Sequence, residues 1–210
     1  VEFHPSEGLA RLAGDGERVT SVVCESGLEV ETDVVVIGAG VHPETMLARQ
    51  AGLELGERGG IVTDAGLRAS KPGVFAAGDV AEWYSLSHEQ HIRVEHWDVA
   101  FNHGRTAALN MLGGSVEHEV VPYFWSDLAE LEIESVGPAY GWDREVVRGD
   151  AQSNDFSVWY LQGNRIAQAA AVGRSDELEA AKKLIRSRRG LSDAELEMLS
   201  NDDAELSSLV

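Results

Sequence analysis

Cysteine and lysine are scarce in this sequence: its 210 residues contain one cysteine, Cys24, and three lysines, Lys71, Lys182 and Lys183. A single cysteine excludes an internal disulfide, a CxxC redox pair and a zinc-finger spacing within this chain. No apolar run approaches the length of a membrane span, and no signal peptide opens the chain. These absences predict a cytoplasmic protein.

Basic charge is also low, with 17 basic residues against 36 acidic residues and a net charge of −19. Nucleic-acid binding needs a basic surface, so this balance argues against a nucleic-acid partner. It equally argues against an anionic membrane surface.

A complete glycine-rich phosphate loop is missing as well. Val34–Ile37 is a continuous β-branched run, which predicts a strand buried on both faces. It ends in Gly38-Ala39-Gly40, but no GxGxxG follows, and a lone GxG is weak evidence for a phosphate site.

The first part of the chain predicts a mixture of strands and helices. Alternation predicts a strand over 18–24 and a short return strand over 28–30. Residues 42–53 predict a short helix with Pro43 near its first turn. A long helix is predicted over 93–114, because apolar or small residues recur there at helical spacing: Trp97, Ala100 or Phe101, Gly104, Ala108 and Met111. Its small residues Gly104, Ala107 and Ala108 would allow close packing against a sheet. Further strands are predicted at Ile61–Thr63 and Val74–Ala77.

From residue 120 the pattern changes to strands followed by helices. A helix opening at Ser175 carries acidic residues first and basic residues last, and Gly190 is predicted to stop it. Ser192 and Glu195 predict a capping box for a last helix. The final ten residues predict a frayed acidic tail. Strands are expected near 123–125, 133–136, 145–148, 156–161 and 165–172, with a hairpin at Gly163–Ile166.

The stretch KPGVFAAGDVAEW raises the first functional question. The predicted strand Val74–Ala77 closes on Gly78-Asp79, which would place a carboxylate at the carboxyl end of a sheet, where open α/β folds bind ligands. Gly78 would let another group approach the backbone. The alternative is an ordinary strand-exit turn, which Gly and Asp commonly form.

A family resemblance favours the functional interpretation. VVVIGAGVHPET, GGIVTDAGLRASKPGVFAAGDVA, RVEHWDVAFNHGRTAALNML and PYFWSDL occur in the order of the two-dinucleotide-binding flavoproteins. The sequence most resembles the FAD-dependent NAD(P)H–ferredoxin reductases and the apoptosis-inducing-factor group. VEHWDVA and YFWSDL are the more specific motifs, whereas GVFAAGD is shared across the superfamily.

The resemblance implies a fold and a domain order. Residues 1–40 would be the end of an NAD(P)-binding domain, 41–113 the second half of a discontinuous α/β FAD-binding domain, and 114–210 an α+β interface domain. The two GxGxxG motifs of such enzymes are absent here. The expectation is therefore a fragment whose N-terminal half is supplied elsewhere, and which is inactive alone.

The resemblance also implies site residues. Asp79 matches the Asp that accepts a hydrogen bond from a ribityl hydroxyl of FAD, with Gly78 giving clearance. Gly40 matches a Gly where the nicotinamide nucleotide passes. Glu95-His96-Trp97 would present helix N–H groups to the flavin pyrimidine edge, and Glu95 would also contact the nucleotide. Trp125 would stack beside the isoalloxazine, and Glu134 aligns with a nucleotide-contacting Glu.

Each of these positions has a structural alternative: a crossover turn at Gly40, an ordinary helix start at Glu95, or a core tryptophan at Trp125. No residue is predicted to act as a catalytic acid or base, because hydride transfer from nicotinamide to flavin needs none. His88, His91 and His96 lie near each other in sequence, but no Cys accompanies them and a metal site is not expected.

Three functions remain open. The first is part of an enzyme that takes hydride from NAD(P)H onto FAD and passes electrons to a ferredoxin-like acceptor, for which the basic stretch Lys182–Gly190 could serve as a docking surface. The second is an NADH oxidase or disulfide reductase of the same superfamily. The third is a non-catalytic module for homodimerisation or partner docking. A flavin spectrum separates the enzymes from the module.

Overall fold

The structure is a computed structural model that describes residues 1–138 and 140–210. It separates into two compact units, Val1–Val41 and His42–Val210. Within the described residues, no helix is both long enough and apolar enough to pass through a bilayer.

The first unit is a three-stranded antiparallel sheet. Its strands are β1 (Leu9–Gly14), β2 (Val19–Cys24) and β3 (Glu29–Glu31), in the order β1-β2-β3. The Asp15 side chain closes the first turn by accepting the backbone N–H groups of Glu17 and Arg18 at 2.9 and 2.8 Å. Cys24 lies half-buried at the end of the central strand.

The predicted strand at Val34–Ile37 is wrong. These residues are irregular, and Val34, Val36 and Ile37 are largely exposed. A strand buried on both faces needs neighbours on both sides. None of the described strands pairs with this segment, so the β-branched run remains unpaired.

The second unit begins with a small mixed sheet and a long helix. Strand β4 (Ile61–Thr63) runs parallel to β5 (Ala81–Ser85), which pairs antiparallel with β6 (Gln90–Ile92). Helix α1 (Met46–Gln50) is shorter than predicted, and helix α2 covers Trp97–Met111. Strands β5 and β6 are not predicted by the sequence pattern, whereas β4 matches its prediction.

The predicted strand Val74–Ala77 is also wrong. Val74–Ala76 form the second arm of a tight turn through Lys71–Gly73, and Phe75 makes only an isolated bridge with Arg68. Gly78–Val80 then form a 3-10 helix that leads into β5. Asp79 therefore precedes a strand instead of following one, because the Lys-Pro-Gly turn reverses the chain before it reaches the sheet.

Helix α2 buries only part of the face that the spacing predicted: Ala107 is buried, whereas Gly104 and Ala108 are exposed. Its buried residues are Val99, His103, Thr106, Ala107 and Asn110. Two of the buried polar residues are hydrogen-bonded: Asn110 donates to the Gly66 and Val116 carbonyls at 2.8 Å, and Nδ1 of His103 accepts the Gly78 N–H at 3.3 Å. The large apolar residues of the predicted spacing, Trp97, Phe101 and Met111, are exposed.

The last part of the chain is an antiparallel sheet covered by helices, so the molecule is a mixed α and β protein. The strand order is β7-β8-β11-β10-β9. Helices α3 (Glu177–Ser187) and α4 (Asp193–Ser200) complete the core around Trp159 and Leu161. The strands are β7 (Tyr123–Leu128), β8 (Leu131–Val136), β9 (Arg144–Asp150), β10 (Asp155–Gln162) and β11 (Arg165–Val172).

The ends of the two helices test the capping predictions. The Ser192–Glu195 capping box is present. Helix α3 ends earlier than predicted, because Arg188 takes the left-handed conformation at φ 54° before Gly190 is reached. The frayed-tail prediction is wrong: Leu206 and Leu209 are buried in a 3-10 helix against the core.

Candidate functional site

The Gly78-Asp79 turn rests directly on helix α2. Gly78 has φ 76°, and its N–H donates to Nδ1 of the buried His103 at 3.3 Å. A Cβ at Gly78 would lie 3.5 Å from Cβ of Ala100. Glycine is favoured here because of its backbone conformation, which ordinary residues rarely adopt. The turn holds Asp79 exposed, and its carboxylate makes no hydrogen bond or ion pair with any of the described residues.

Arg93 connects this turn to the start of helix α2. Its Nη1 donates to the Asp79 carbonyl at 3.0 Å and to Oε1 of Glu95 at 2.7 Å. Its Nε donates to the Arg58 carbonyl at 3.0 Å. Arg93 is absent from the sequence prediction, and only its proximity to Glu95 in the chain could have indicated it.

Helix α2 starts without a side-chain cap. His96 occupies the N-cap position with extended backbone, and its side chain does not bond the first turn. The N–H groups at the start of a helix therefore remain available to an acceptor, with the positive end of the macrodipole behind them.

His96 itself is half-buried, and its ring packs against Phe124 at 5.0 Å between centroids. Burial lowers the pKa of His96 below 6.5, against the opposing effects of a hydrogen bond with the Tyr123 backbone and the negative charge of Asp79. Arg93 bonds both the Asp79 carbonyl and Glu95, so the turn and the helix start lie side by side. His96 is therefore mainly neutral near pH 7.

Aromatic side chains extend this surface onto the antiparallel sheet. Trp97 and Trp125 meet nearly perpendicular at 6.0 Å, and Tyr123 stacks on Trp125 at 5.7 Å. Trp97 is 69% exposed and Trp125 is 45% exposed. Trp125 is thus not the core tryptophan of the structural alternative.

Glu134 lies opposite Trp125 in the β7–β8 ladder. Its carboxylate accepts the Tyr123 hydroxyl in a short hydrogen bond. Burial, together with this bond, raises the pKa of Tyr123 to about 12. Glu134 is therefore tied to the aromatic surface through Tyr123.

The structure thus brings together the predicted residues Gly78, Asp79, Glu95, His96, Trp97, Trp125 and Glu134. Gly40 belongs to the first unit, where it has φ 77° in an irregular segment with open space around it. An open cleft of about 650 Å³ adjoins the site, with Arg93, Glu95, His96 and Phe124 in its wall.

A buried histidine pair lies beneath the turn. His103 and His118 pack edge to face at 4.5 Å, and each also meets the buried Trp83. Burial lowers the pKa of His103 to about 3 and that of His118 to about 4. The sequence did not indicate this cluster, because its members come from one strand, one helix and the segment after that helix.

The three histidines considered for a metal have separate surroundings. His88 bonds the Ser85 hydroxyl at 2.9 Å, His91 packs on Tyr84, and His96 packs on Phe124. In residues 1–138 and 140–210, no group of three potential metal ligands is present.

The basic stretch near the end of α3 divides into two sets. Arg188 and Arg189 pair with Glu89 and Glu195 at 3.2 and 2.8 Å. Lys182, Lys183 and Arg186 line a cleft of about 380 Å³ that also includes Tyr123, Asp98 and Glu179, and Lys182 pairs with Glu179 at 2.8 Å.

Comparison with known proteins supports the architecture. Residues 1–104 match the family described as "Pyridine nucleotide-disulphide oxidoreductase", and residues 123–210 match "Reductase C-terminal". The chain is 36% identical to putidaredoxin reductase CamA of Pseudomonas putida over 84% of this chain and 42% of that protein. It is 29% identical to human apoptosis-inducing factor 3 over 94% of this chain and 33% of that protein.

Among solved structures, the covalent putidaredoxin reductase–putidaredoxin complex superposes with a TM-score of 0.86 at 32% identity, covering 97% of this chain and 48% of that chain. The fold and the two matched regions place this mixed α and β chain among the homologues of reductases. The chain belongs to the pyridine nucleotide-disulphide oxidoreductase family and carries its reductase C-terminal domain. It spans less than half the length of these relatives.

Proposed function

We propose that this chain is the C-terminal part of an FAD-dependent NAD(P)H–ferredoxin reductase, and that the surface around Asp79, His96 and Trp125 holds the flavin end of FAD. One observation carries the proposal. A free carboxylate, an uncapped helix start and an exposed tryptophan converge from three separate elements.

These residues fit one end of FAD. The Asp79 carboxylate is a free acceptor for a ribityl hydroxyl, and the positive φ of Gly78 shapes the turn that presents it. The N–H groups at the start of α2 suit the polar pyrimidine edge of the flavin. The sequence contains no GxGxxG loop for the pyrophosphate, so the other end of FAD needs residues beyond this chain.

Bound there, FAD would accept hydride from NAD(P)H and pass electrons singly to an acceptor. The residues of this chain bind and orient. Asp79 fixes the ribityl chain, and the α2 dipole favours negative charge at its N-terminus. Neutral His96 and the aromatic ring of Trp125 would shield the face of the flavin that rests on this surface from water. No side chain is required to move a proton.

The domain assignment is part of the same proposal. Residues 1–40 form the end of an NAD(P)-binding domain, with Gly40 near the path of the nucleotide. Residues 41–113 form the second half of the FAD-binding domain, and 114–210 form the interface domain. Glu95 and Glu134 are the proposed contacts to the nicotinamide nucleotide.

The proposed acceptor is a ferredoxin-like protein. A similar reductase has been crystallised joined covalently to putidaredoxin. In this chain, Lys182, Lys183 and Arg186 adjoin Tyr123, which stacks on the exposed Trp125. Lys183 and Arg186 give an acidic partner two cations next to the proposed flavin site, although Asp98 and Glu179 line the same cleft and the chain as a whole is strongly acidic.

Replacement of Asp79 tests the flavin site. One hydrogen bond to a charged group contributes about 1.5–3 kcal/mol, so Asp79→Ala in the complete flavoprotein is expected to weaken FAD binding by about one to two decades. Flavin fluorescence measures the dissociation constant, and circular dichroism checks that the variant folds. Asp203→Ala, which removes an exposed acid of the C-terminal segment, serves as the matched control. Unchanged FAD affinity in Asp79→Ala would refute the assignment.

A further inference from the structure

We infer that Arg93 is a positioning residue of the proposed FAD site, one that fixes the Asp79 turn against Glu95 and sets the local charge there. This inference rests on the proposed function. Its basis is that one guanidinium bonds three separate segments: the Asp79 carbonyl at 3.0 Å, the Glu95 carboxylate at 2.7 Å and the Arg58 carbonyl at 3.0 Å.

The surroundings of Arg93 are built to hold it in this position. Its side chain is only 16% exposed. A Cβ at Gly60 would lie 2.9 Å from Cδ of Arg93, so the absence of a side chain at Gly60 makes room for the arginine stem. A planar guanidinium with donors in fixed directions suits three acceptors better than a lysine ammonium does.

Tyr140 supports the same arginine from the segment that follows strand β8. Its hydroxyl donates to the Arg93 carbonyl at 2.6 Å, and the Arg58 guanidinium lies 4.3 Å above its ring. The C-terminal domain therefore helps to fix the residue that orients the Asp79 turn. The position of the turn depends on both parts of the second unit.

Arg93 also determines the charge of the surface. Asp79 and Glu95 place two carboxylates beside the uncapped start of α2, and the charge of Arg93 offsets them. Because the cofactor gains negative charge on reduction, loss of this cation disfavours the reduced form more than the oxidised form. Arg93 thus contributes to the midpoint potential as well as to FAD affinity.

The test uses the complete flavoprotein and four variants. Arg93→Gln removes both the charge and the forked donor set, whereas Arg93→Lys keeps the charge alone. Tyr140→Phe removes only the support from the hydroxyl. Arg165→Gln is the matched control, because Arg165 makes an exposed ion pair with Glu89 at 3.0 Å. Flavin fluorescence gives the FAD dissociation constant, and redox titration gives the midpoint potential.

For Arg93→Gln we expect FAD affinity to fall about tenfold, the effect of losing roughly one charge-assisted hydrogen bond. We also expect the affinity for reduced FAD to fall about tenfold more than the affinity for oxidised FAD. This difference lowers the two-electron midpoint potential by about 30 mV. Arg93→Lys should lose affinity but keep the wild-type potential. Tyr140→Phe should shift affinity in the same direction by less, and Arg165→Gln should change neither quantity.

An Arg93→Gln protein that is less stable to heat but has wild-type affinity and potential would overturn the inference, since Arg93 would then be only a structural residue. Equal shifts in Arg165→Gln would overturn it too. If Arg93→Gln does not fold, Tyr140→Phe becomes the test. An FAD affinity in Tyr140→Phe equal to that of the wild type would then overturn the inference. If the wild-type protein itself binds no FAD, the proposed function is wrong. That result differs from a failure of the inference, in which the wild-type protein binds FAD and the Arg93 variants bind it equally well.

Discussion

Trp125 and Trp142 offer a matched comparison, because both lie in the C-terminal part and they are exposed to nearly the same extent, 45% and 47%. Only Trp125 joins the aromatic surface with Trp97, whereas Trp142 packs on Tyr160. If the flavin lies beside Trp125, Trp125→Ala should shift the flavin absorption band. It should also abolish part of the quenching of tryptophan fluorescence by the bound flavin. Trp142→Ala should leave both unchanged. Identical flavin spectra in the two variants would remove Trp125 from the site.

The His103–His118 pair makes the fold sensitive to acid. Both pKa values in the folded protein, about 3 and about 4, lie below the unfolded value of 6.5. The unfolded chain therefore binds more protons once the pH falls below about 6.5, and the free energy of unfolding decreases from there towards the folded pKa values. Each ring contributes a slope of up to about 1.4 kcal/mol per pH unit.

His118→Leu separates this effect from other titrations. Both ring nitrogens of His118 are buried without a partner among the described residues, so the substitution should cost little at pH 7. It should reduce the loss of stability between pH 6.5 and 4, measured by urea unfolding. His42→Leu removes an exposed histidine and should preserve the wild-type slope. An unchanged slope in His118→Leu would contradict the buried neutral state.

Single residues differ in how far the sequence can reveal them. Asp79 and Trp125 lie in recognisable motifs, GVFAAGD and YFWSDL, so the resemblance pointed to them directly. Arg93 and His103 lie within the longer stretch RVEHWDVAFNHGRTAALNML, but the resemblance assigned neither of them a role. Their contacts with Asp79 and Gly78 cross 14 and 25 positions of the chain, and only the folded structure brings them together.

At the scale of elements, the sequence was most informative where neighbours are local. Strands β7 to β11 form one antiparallel sheet, in which burial alternates along β9 and β10, and their positions were predicted within a few residues. Val34–Ile37 is entirely β-branched and Val74–Ala77 contains Val and Phe, but neither segment has a sheet partner among the described strands. A segment becomes a strand only when another strand pairs with it, and the β-propensity of the segment does not show whether such a partner exists.

The C-terminal segment shows the same limit. Its acidic composition predicted fraying, but the side chain of Arg148 is only 2% exposed and binds this segment. Its donors reach the carbonyls of Leu199 and Asn201 at 3.0 and 2.6 Å, and Nε pairs with Glu177 at 3.2 Å. A pattern of charges along the sequence cannot show that one buried arginine donates hydrogen bonds to these carbonyls.

Loss of Arg148 should therefore release the segment. Arg148→Met leaves buried carbonyls and Glu177 without their donor, so we expect the free energy of unfolding to fall by about 3 kcal/mol. Hydrogen exchange should accelerate over residues 201–210. Arg165→Met, which breaks an exposed ion pair, should cost at most about 1 kcal/mol. Equal effects in the two variants would show that the Arg148 contacts do not hold the segment.

At the scale of the whole molecule, the chain resembles well under half of putidaredoxin reductase and a third of human apoptosis-inducing factor 3. The proposed site is correspondingly one-sided. It offers contacts to the ribityl and flavin ends of FAD, and the sequence contains no glycine-rich loop for the pyrophosphate. The exposed face of α2, with Trp97, Phe101 and Met111, is free to be covered in the complete flavoprotein.

A titration of FAD into these 210 residues alone, beside the complete flavoprotein, tests this division of the site most directly. Flavin fluorescence follows binding, and absorbance at the nicotinamide band follows NADH oxidation with an artificial acceptor. We predict stoichiometric FAD and turnover in the complete protein, and neither tight FAD binding nor turnover in the chain alone, because the pyrophosphate lacks its helix N-terminus. Tight FAD binding or NADH oxidation by the chain alone would contradict the account.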